Sequence, residues 1–341
     1  MSPKNLNANK IPKILKDKLK NKKINLIYER FEKTLNIKNN FLVAVSGGPD
    51  SSALAFLSKI YSIKHKLDAR FLIIDHKLRP ESTKEAKIVK KNLKKISIKS
   101  EILTWHGKKP LKNVQALARE KRYELLIEKC RKYKINNILL GHHQDDLFEN
   151  FFIRMLRGSG LKGLISLDKK DKFDNINLLR PLLDQKKDDL IFLSKYVFND
   201  FVEDPTNKDE KYQRIKIKKL IQNLEMNGLD KKKFSKTINN LKYSNNAIKF
   251  YVNQNLKMNT FHSFKKNKLI LNKEFFHQPY EIIFRSLSDS IKLIGKNYYS
   301  VRGKKLDKII REIENNSLYK STLGGCIIEK VNQTVIITKE H

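Results

Sequence analysis

Cysteine is nearly missing from this chain: there are two, Cys130 and Cys326, far apart and with no Cys/His spacing that suits a metal. That excludes a disulfide framework and a zinc module, and makes a reducing cytoplasm the expected compartment. No apolar stretch approaches the roughly 20 residues that span a bilayer, and the lysine-studded N-terminus lacks the apolar centre of a secretory signal, so no membrane segment is expected. The basic segment Lys10 to Lys23 has the apolar residues Ile11, Ile14, Leu15 and Leu19, which fit packing against the domain better than lying on a lipid surface. Acidic residues are scarce too, 36 against 72 Lys and Arg, for a formal charge of +36. Such an excess draws polyanions through counterion release and long-range attraction, which points to nucleic acid. Fifty-nine of the basic residues are lysine, beside much Asn and Ile, as AT-rich coding produces. Charge therefore supports a nucleic-acid partner without establishing one.

What is present is an alternation. The apolar run Phe41 to Val45 stops at a Ser-Gly-Gly turn and reads as a buried strand. A helix from about Ser51 to Tyr61, the strand Ala69 to Asp75, a helix from about Glu81 to Lys95, a strand near Ile98 to Trp105, a helix from Val114 to Tyr133 and the strand Asn136 to Leu140 follow. This alternation predicts an α/β fold, a parallel sheet with helices on both faces, whose ligands bind at the carboxyl ends of the strands. After about Arg180 the pattern turns helix-rich, Asp200 to Lys211 is mostly polar, and no repeat is visible. Three regions are expected: a basic N-terminal extension over 1–38, an α/β domain over 39–220, and a smaller, mostly helical C-terminal region over 221–341 whose lysines suit nucleic acid and which ends in a β-hairpin over Gly324 to Thr338.

The informative loop is Ser46-Gly47-Gly48-Pro49-Asp50-Ser51-Ser52, between a strand and a helix. Glycines let backbone N–H groups approach an anion, the serines add hydroxyls, and the helix N-terminus adds positive potential, so the loop suits a phosphate. It is not the P-loop of kinase-type enzymes, since no Lys-Ser/Thr pair follows the glycines. A tight turn capped by Asp50 or Ser51 fits the same residues equally well.

That loop resembles the SGGxDS motif of the N-type ATP pyrophosphatases, the PP-loop enzymes with an adenine nucleotide alpha hydrolase-like sheet. Further segments resemble the tRNA(Ile)-lysidine synthetase family: Asp75-His-Lys-Leu-Arg-Pro-Glu-Ser82, Gln115 to Tyr123, Gly141-His-His-Gln-Asp-Asp146, Arg157 to Leu164, Arg180-Pro-Leu-Leu183 and Glu203-Asp-Pro-Thr-Asn207. Seven segments stand in family order from residue 41 to about 220. The chain departs at Lys77, where the family usually has Gly, and at Leu147 and Asn150, where Gln and Thr are common. In Tyr212 to Lys219 several positions that are usually arginine in the family are lysine.

The resemblance implies a ligase that joins lysine to C2 of the wobble cytidine, position 34, in the CAU anticodon of tRNA(Ile), consuming ATP and shifting the codon read from AUG to AUA. The cytidine oxygen at C2 leaves poorly until it is made an ester of AMP, and the loop at 46–52 suits the charge on the transferring phosphate. ATP would then meet Ser46 to Ser52 and Asp75. Asp50 repels phosphate unless Mg²⁺ bridges them, and Asp145 and Asp146 at a neighbouring strand end would complete the metal's carboxylates. Either aspartate instead suits the N-cap of a helix over Leu147 to Leu156. His142 and His143 would position the cytosine or take a proton from the lysine ammonium, or serve as structural histidines. Arg119 with Arg122, and Arg154 with Arg157, each share a helix face that meets phosphates or simply solvent; with Arg214 they are the expected tRNA contacts. Free lysine and tRNA are the expected partners, and a homodimer is one assembly left open. Two rivals stand: a sulfur-inserting tRNA enzyme, which would need catalytic cysteines, and a non-catalytic RNA-binding protein.

Overall fold

In a computed structural model the described residues are 11–107, 114–173, 175–201, 213–263, 268–296, 301 and 303–340, with the side chains of 114–116 left aside. The chain divides between Leu229 and Asp230 into two compact units.

The first unit opens with helices α1 (Lys13–Leu19) and α2 (Lys22–Leu35), the latter capped by Asn21, whose side chain accepts from the N–H groups of Lys23 and Ile24. Leu15 is fully buried and Ile11 and Leu19 pack beside it, while Ile14 stays exposed. The basic N-terminal stretch is thus sewn to the core; burying a leucine stabilises by about 1.5–3 kcal/mol.

There follow β1 (Phe41–Val45), α3 (Pro49–Lys64), β2 (Ala69–Asp75), α4 (Ser82–Lys95), β3 (Ser100–Thr104), α5 (Val114–Tyr133), β4 (Asn137–Leu139), α6 (Gln144–Leu156), α7 (Leu161–Leu164), β5 (Lys170–Phe173), β6 (Ile176–Leu179), α8 (Lys187–Phe198) and α9 (Gln213–Met226). The sheet runs β3-β2-β1-β4-β6-β5, parallel throughout except for the antiparallel edge strand β5. Strand side chains alternate between faces, and both faces here are apolar. Phe41, Val43, Val45, Phe71 and Ile73 pack with α2, α3, α4 and α8, whereas Leu42, Leu72 and Ile138 pack with Leu126, Ile127 and Cys130 of α5. The chain moves outward from β1 through β2 to β3 and then returns to place β4 on the other side of β1. The crevice at the carboxyl ends of β1 and β4 is the topological switch point, where such sheets bind ligands.

The second unit holds α10 (Lys231–Asn259), β7 (Thr260–Ser263), β8 (Lys268–Leu271), α11 (Tyr280–Gly295), α12 (Gly303–Glu314), β9 (Lys320–Leu323), β10 (Cys326–Val331) and β11 (Thr334–Lys339). The expected terminal hairpin is β10–β11, turning at Asn332 with a positive φ of 52°. It does not stand alone. The strands β7 and β8, in a stretch read from sequence as helical, join it in an antiparallel sheet of order β7-β8-β11-β10-β9. One face of that sheet, with Leu269, Leu271, Ile328, Val335 and Ile337, packs on Ile283, Leu287 and Ile291 of α11 and Leu306 and Ile310 of α12. No described helix is long and apolar enough to cross a membrane.

Candidate active site

The loop after β1 is wound around one hydroxyl. Gly47 has φ of 91°, a left-handed conformation that glycine adopts without a Cβ penalty. Ser51 Oγ accepts from the N–H groups of Ser46 and Gly47, each at 3.1 Å, and donates to the Gly48 carbonyl at 3.1 Å. Ser51 and Ser52 are buried, so these hydroxyls organise the loop from within. The donors left for an anion are those of the first turn of α3, at Asp50 and Ser51, where a helix has no internal acceptors. Pro49 occupies the first turn, where its missing N–H costs nothing.

The loop after β4 comes against this turn. A Cβ on Gly141 would stand 3.2 Å from the backbone N and Cα of Ser51, so only glycine permits the approach without a shift. Two residues on, His143 caps α6: its Nδ1 accepts from the Asp145 N–H at 3.2 Å, and its own N–H donates to Asp146 Oδ2 at 2.9 Å, a reciprocal capping box. The helix therefore begins at Gln144, three residues before the expected start, and its cap is a histidine rather than an aspartate. With Nδ1 accepting, the neutral ring carries its proton on Nε2, which lies 3.7 Å from Asp50 Oδ2 and 3.5 Å from Asp146 Oδ2. Asp50, His143 and Asp146, from loops about a hundred residues apart in sequence, thus meet at the switch point.

Each carboxylate already has a cation. Lys187 Nζ, at the start of α8, donates to both oxygens of Asp50 at 2.7 and 2.6 Å. Ser194 on the same helix donates to the Pro49 carbonyl at 2.5 Å, which fixes α8 against the loop. Arg214 on α9 bridges Asp146 and Glu149, one helical turn apart on α6. Burial pushes the Glu149 carboxyl up and the arginine does not fully offset it. Burial pushes Asp146 the same way, but His143, Arg214 and the backbone bond hold it below the usual range. Among the described residues no group of three or more His, Cys, Asp and Glu is arranged to hold a metal. The set Asp50, Asp145 and Asp146 expected from sequence is not assembled as a metal cage, because ammonium and guanidinium groups take the available oxygens of Asp50 and Asp146.

The other expected residues sit as follows. Asp75, at the end of β2, is buried, and its carboxylate accepts from the Lys77 N–H at 3.0 Å and from the Ser82 and Thr83 hydroxyls at 2.7 Å each. Burial works to raise its pKa, and these donors prevail and lower it. It ties down the loop between β2 and α4. His142 is held neutral by burial, assisted by nearby Arg180, Arg119 and Arg214, and its Nδ1 has no hydrogen-bond partner. Arg119 and Arg122 are exposed on α5, Arg122 donating to His76 Nε2 at 3.4 Å. Arg154 and Arg157 are exposed at the end of α6, Arg157 donating to Gln213 at 3.0 Å. The arginines thus lie on two elements, α5 and the end of α6, while Arg214 faces carboxylates. The segment Glu203 to Asn207 lies outside the described residues.

Lys187 and Glu149 were missed by sequence reasoning. A signal existed for each: Lys187 stands shortly after Arg180-Pro-Leu-Leu183, and Glu149 lies three residues after Asp146 inside the apolar run Leu147 to Phe152.

Two consequences are measurable. Lys77 has φ of 49°, which costs an L-residue roughly 1 kcal/mol. Lys77→Gly is expected to leave stability unchanged or raise it by up to about that amount, glycine's greater unfolded-state freedom opposing the gain; a loss above about 1 kcal/mol in urea melts would show that the lysine side chain is needed. For Glu149, whose folded pKa is raised above the usual 4.5, the sign is fixed: the fold binds the proton more tightly, so the cost of the charge appears above 4.5 and is complete above the raised value. Relative to the wild type, Glu149→Gln should gain stability as pH rises through that window and stay level beyond it. A difference independent of pH would contradict the assignment.

A PP-loop domain family model matches residues 17–224 of the chain. The tRNA(Ile)-lysidine synthase of Wolbachia pipientis wMel is 34% identical over 308 residues, covering 89% of this chain and 71% of that protein. The tRNA(Ile)-lysidine synthase of Orientia tsutsugamushi strain Boryong is 35% identical over 314 residues, covering 87% and 69%. Among solved structures, a U34-tRNA thiolase from Methanococcus maripaludis, determined with its [4Fe-4S] cluster, aligns with a TM-score of 0.56 at 17% identity, over 65% of this chain and 78% of that one. This last likeness is one of fold.

Proposed function

Because the chain belongs to the tRNA(Ile)-lysidine synthase family and carries its ATP-binding PP-loop domain, we propose that it is a ligase that joins lysine to C2 of cytidine 34 in a tRNA(Ile) with a CAU anticodon. The observation that carries this reading is the meeting of the β1 and β4 loops at the switch point, with Asp50, Lys187, His143 and Asp146 facing one another.

The reaction has two displacements. The cytidine oxygen at C2 attacks the α-phosphorus of ATP, the bond to the bridging oxygen breaks, and pyrophosphate leaves. The lysine amine, having given up a proton, then attacks C2 and the C2–O bond breaks with loss of AMP. The first-turn N–H groups of α3 take the phosphate charge. Asp75 keeps its carboxylate for the loop, so contacts with the nucleotide there fall to the backbone. Lys187, which sequence reasoning did not include, can exchange Asp50 for a phosphate oxygen and so stabilise the leaving pyrophosphate. Magnesium ordinarily binds through one or two carboxylates plus substrate phosphates rather than in a protein cage. Asp50 would be the carboxylate that holds such an ion beside ATP's phosphates, and the ion would supply further charge neutralisation. His142, kept neutral by burial, is suited to hydrogen-bonding the base rather than to taking a proton from an ammonium. The exposed arginines of α5 and α6 are assigned to tRNA phosphates.

The thiolation rival would need a reactive cysteine. Cys130 is buried, which pushes its thiol up to about 12, and Cys326 is buried in the other unit and pushed up to about 11. Neither is poised as a thiolate. The proposed pathway is tested by pyrophosphate exchange: labelled pyrophosphate should enter ATP only when the tRNA is present, because adenylation of cytidine is the reversible step. Exchange without tRNA, or none with it, would overturn this order of events.

A further inference from the structure

Helix α10 is 29 residues long, contains seven lysines and no carboxylate. One side of it is the inner face, where Ile238, Val252 and Asn255 are buried. On the opposite side Lys236, Asn240, Tyr243, Ala247, Phe250, Gln254 and Lys257 recur at intervals of four and three, and all are exposed. Tyr243 and Phe250 are 71% and 65% exposed, and Tyr251 beside them is 57% exposed and meets the Phe250 ring edge-on. At 1.5 Å per residue the stripe from Lys236 to Lys257 is about 32 Å long, with neighbours seven apart standing about 10 Å from one another.

We propose that this stripe docks RNA, with Tyr243 and Phe250 stacking unpaired bases and Lys236 and Lys257 holding the backbone on either side. The inference rests on the reading that tRNA is the substrate and adds where, and by which groups, the second unit meets it. An exposed apolar ring is costly in water and useful against a nucleobase, whose π-face every base presents. The absence of carboxylates over the whole helix removes the repulsion that would oppose a phosphate backbone. A second copy of this chain fits poorly: only Tyr243, Ala247 and Phe250 are apolar, and pairing two stripes antiparallel sets Lys236 against Lys257, while pairing them parallel sets each lysine against itself. An acidic protein would be matched by the lysines but not by the bare rings.

The test uses the full chain, an unmodified tRNA(Ile) transcript with a CAU anticodon, and a fully paired RNA hairpin of equal length. Tyr243→Ala with Phe250→Ala should weaken transcript binding about tenfold or more, leave the salt slope unchanged, and leave hairpin binding unchanged. Lys236→Gln with Lys257→Gln should instead flatten the slope of log affinity against log salt by about 1.4 to 1.8. Helicity by circular dichroism and ATP affinity serve as fold controls. Both variants binding like the wild type would overturn the proposal, as would an unchanged affinity with a changed sedimentation coefficient, which would make the stripe a self-interface. If the wild type itself fails to bind the transcript, the substrate reading falls, not merely the place of docking.

Discussion

Asp50→Asn is expected to lower lysidine formation at least about a hundredfold at saturating ATP, lysine and tRNA, with the melting temperature moved by no more than a few degrees. The substitution keeps size and a hydrogen-bonding oxygen and removes only the charge. That charge is shared between Lys187 and the imidazole Nε2–H of His143, and under the proposed function it would be the carboxylate offered to a metal on the phosphates of ATP. The fold loses little, because the Lys187–Asp50 pair is partly exposed, with side chains 30% and 22% accessible, and pairs of that kind contribute about 1 kcal/mol or less. Lys187→Met should be defective as well. The double variant should be little worse than the poorer single one, since groups that act as a unit are not additive. Wild-type turnover of Asp50→Asn at limiting Mg²⁺ would remove the assignment.

A chain ending at Leu229 should bind ATP within about twofold of the full protein and lose at least about tenfold in tRNA affinity. The sheet, the β1 and β4 loops and Lys187 all lie in the first unit, which has its own two-sided core. The place of the cut matters: ending near Leu220 would sever α9 midway and remove its buried Ile221, loosening the half-helix that presents Arg214 to the buried carboxylates of Asp146 and Glu149. Remote contacts position the reacting base, so turnover at saturating tRNA should fall in the fragment too. Once the fragment is shown to be folded by its thermal transition, ATP and tRNA affinities are measured separately. Loss of ATP binding with tRNA binding untouched would reverse the roles given to the two units.

Much of the first unit was legible because its signals are local. Phe41 to Val45 and Ala69 to Asp75 are apolar runs bounded by turn residues, and both strands have those limits; Val114 to Tyr133 likewise forms one helix. The SGGPDS loop declares itself by the need for a left-handed Gly47. What was hidden depends on distance along the chain. Lys187 lies 137 residues from Asp50, and among 59 lysines its place shortly after Arg180-Pro-Leu-Leu183 is the one mark it carries. Glu149 reads as a solvated helix position until the fold buries it against Arg214. The strands β7 and β8 are four residues each, and β8 is fixed by pairing with β11, more than sixty residues on. Lys77 shows the reverse case: a departure visible in the sequence became intelligible once its φ of 49° was seen.

Whether this chain makes lysidine is tested most directly on the nucleoside itself. A tRNA(Ile) transcript with a CAU anticodon is incubated with the protein, ATP, Mg²⁺ and lysine, digested, and its anticodon nucleosides are weighed by mass spectrometry. The account predicts that cytidine 34 gains the mass of lysine less one water, that the gain requires both ATP and lysine, and that AMP appears in equal amount. An anticodon cytidine of unchanged mass, with wild-type protein that binds both ATP and the transcript, would contradict it.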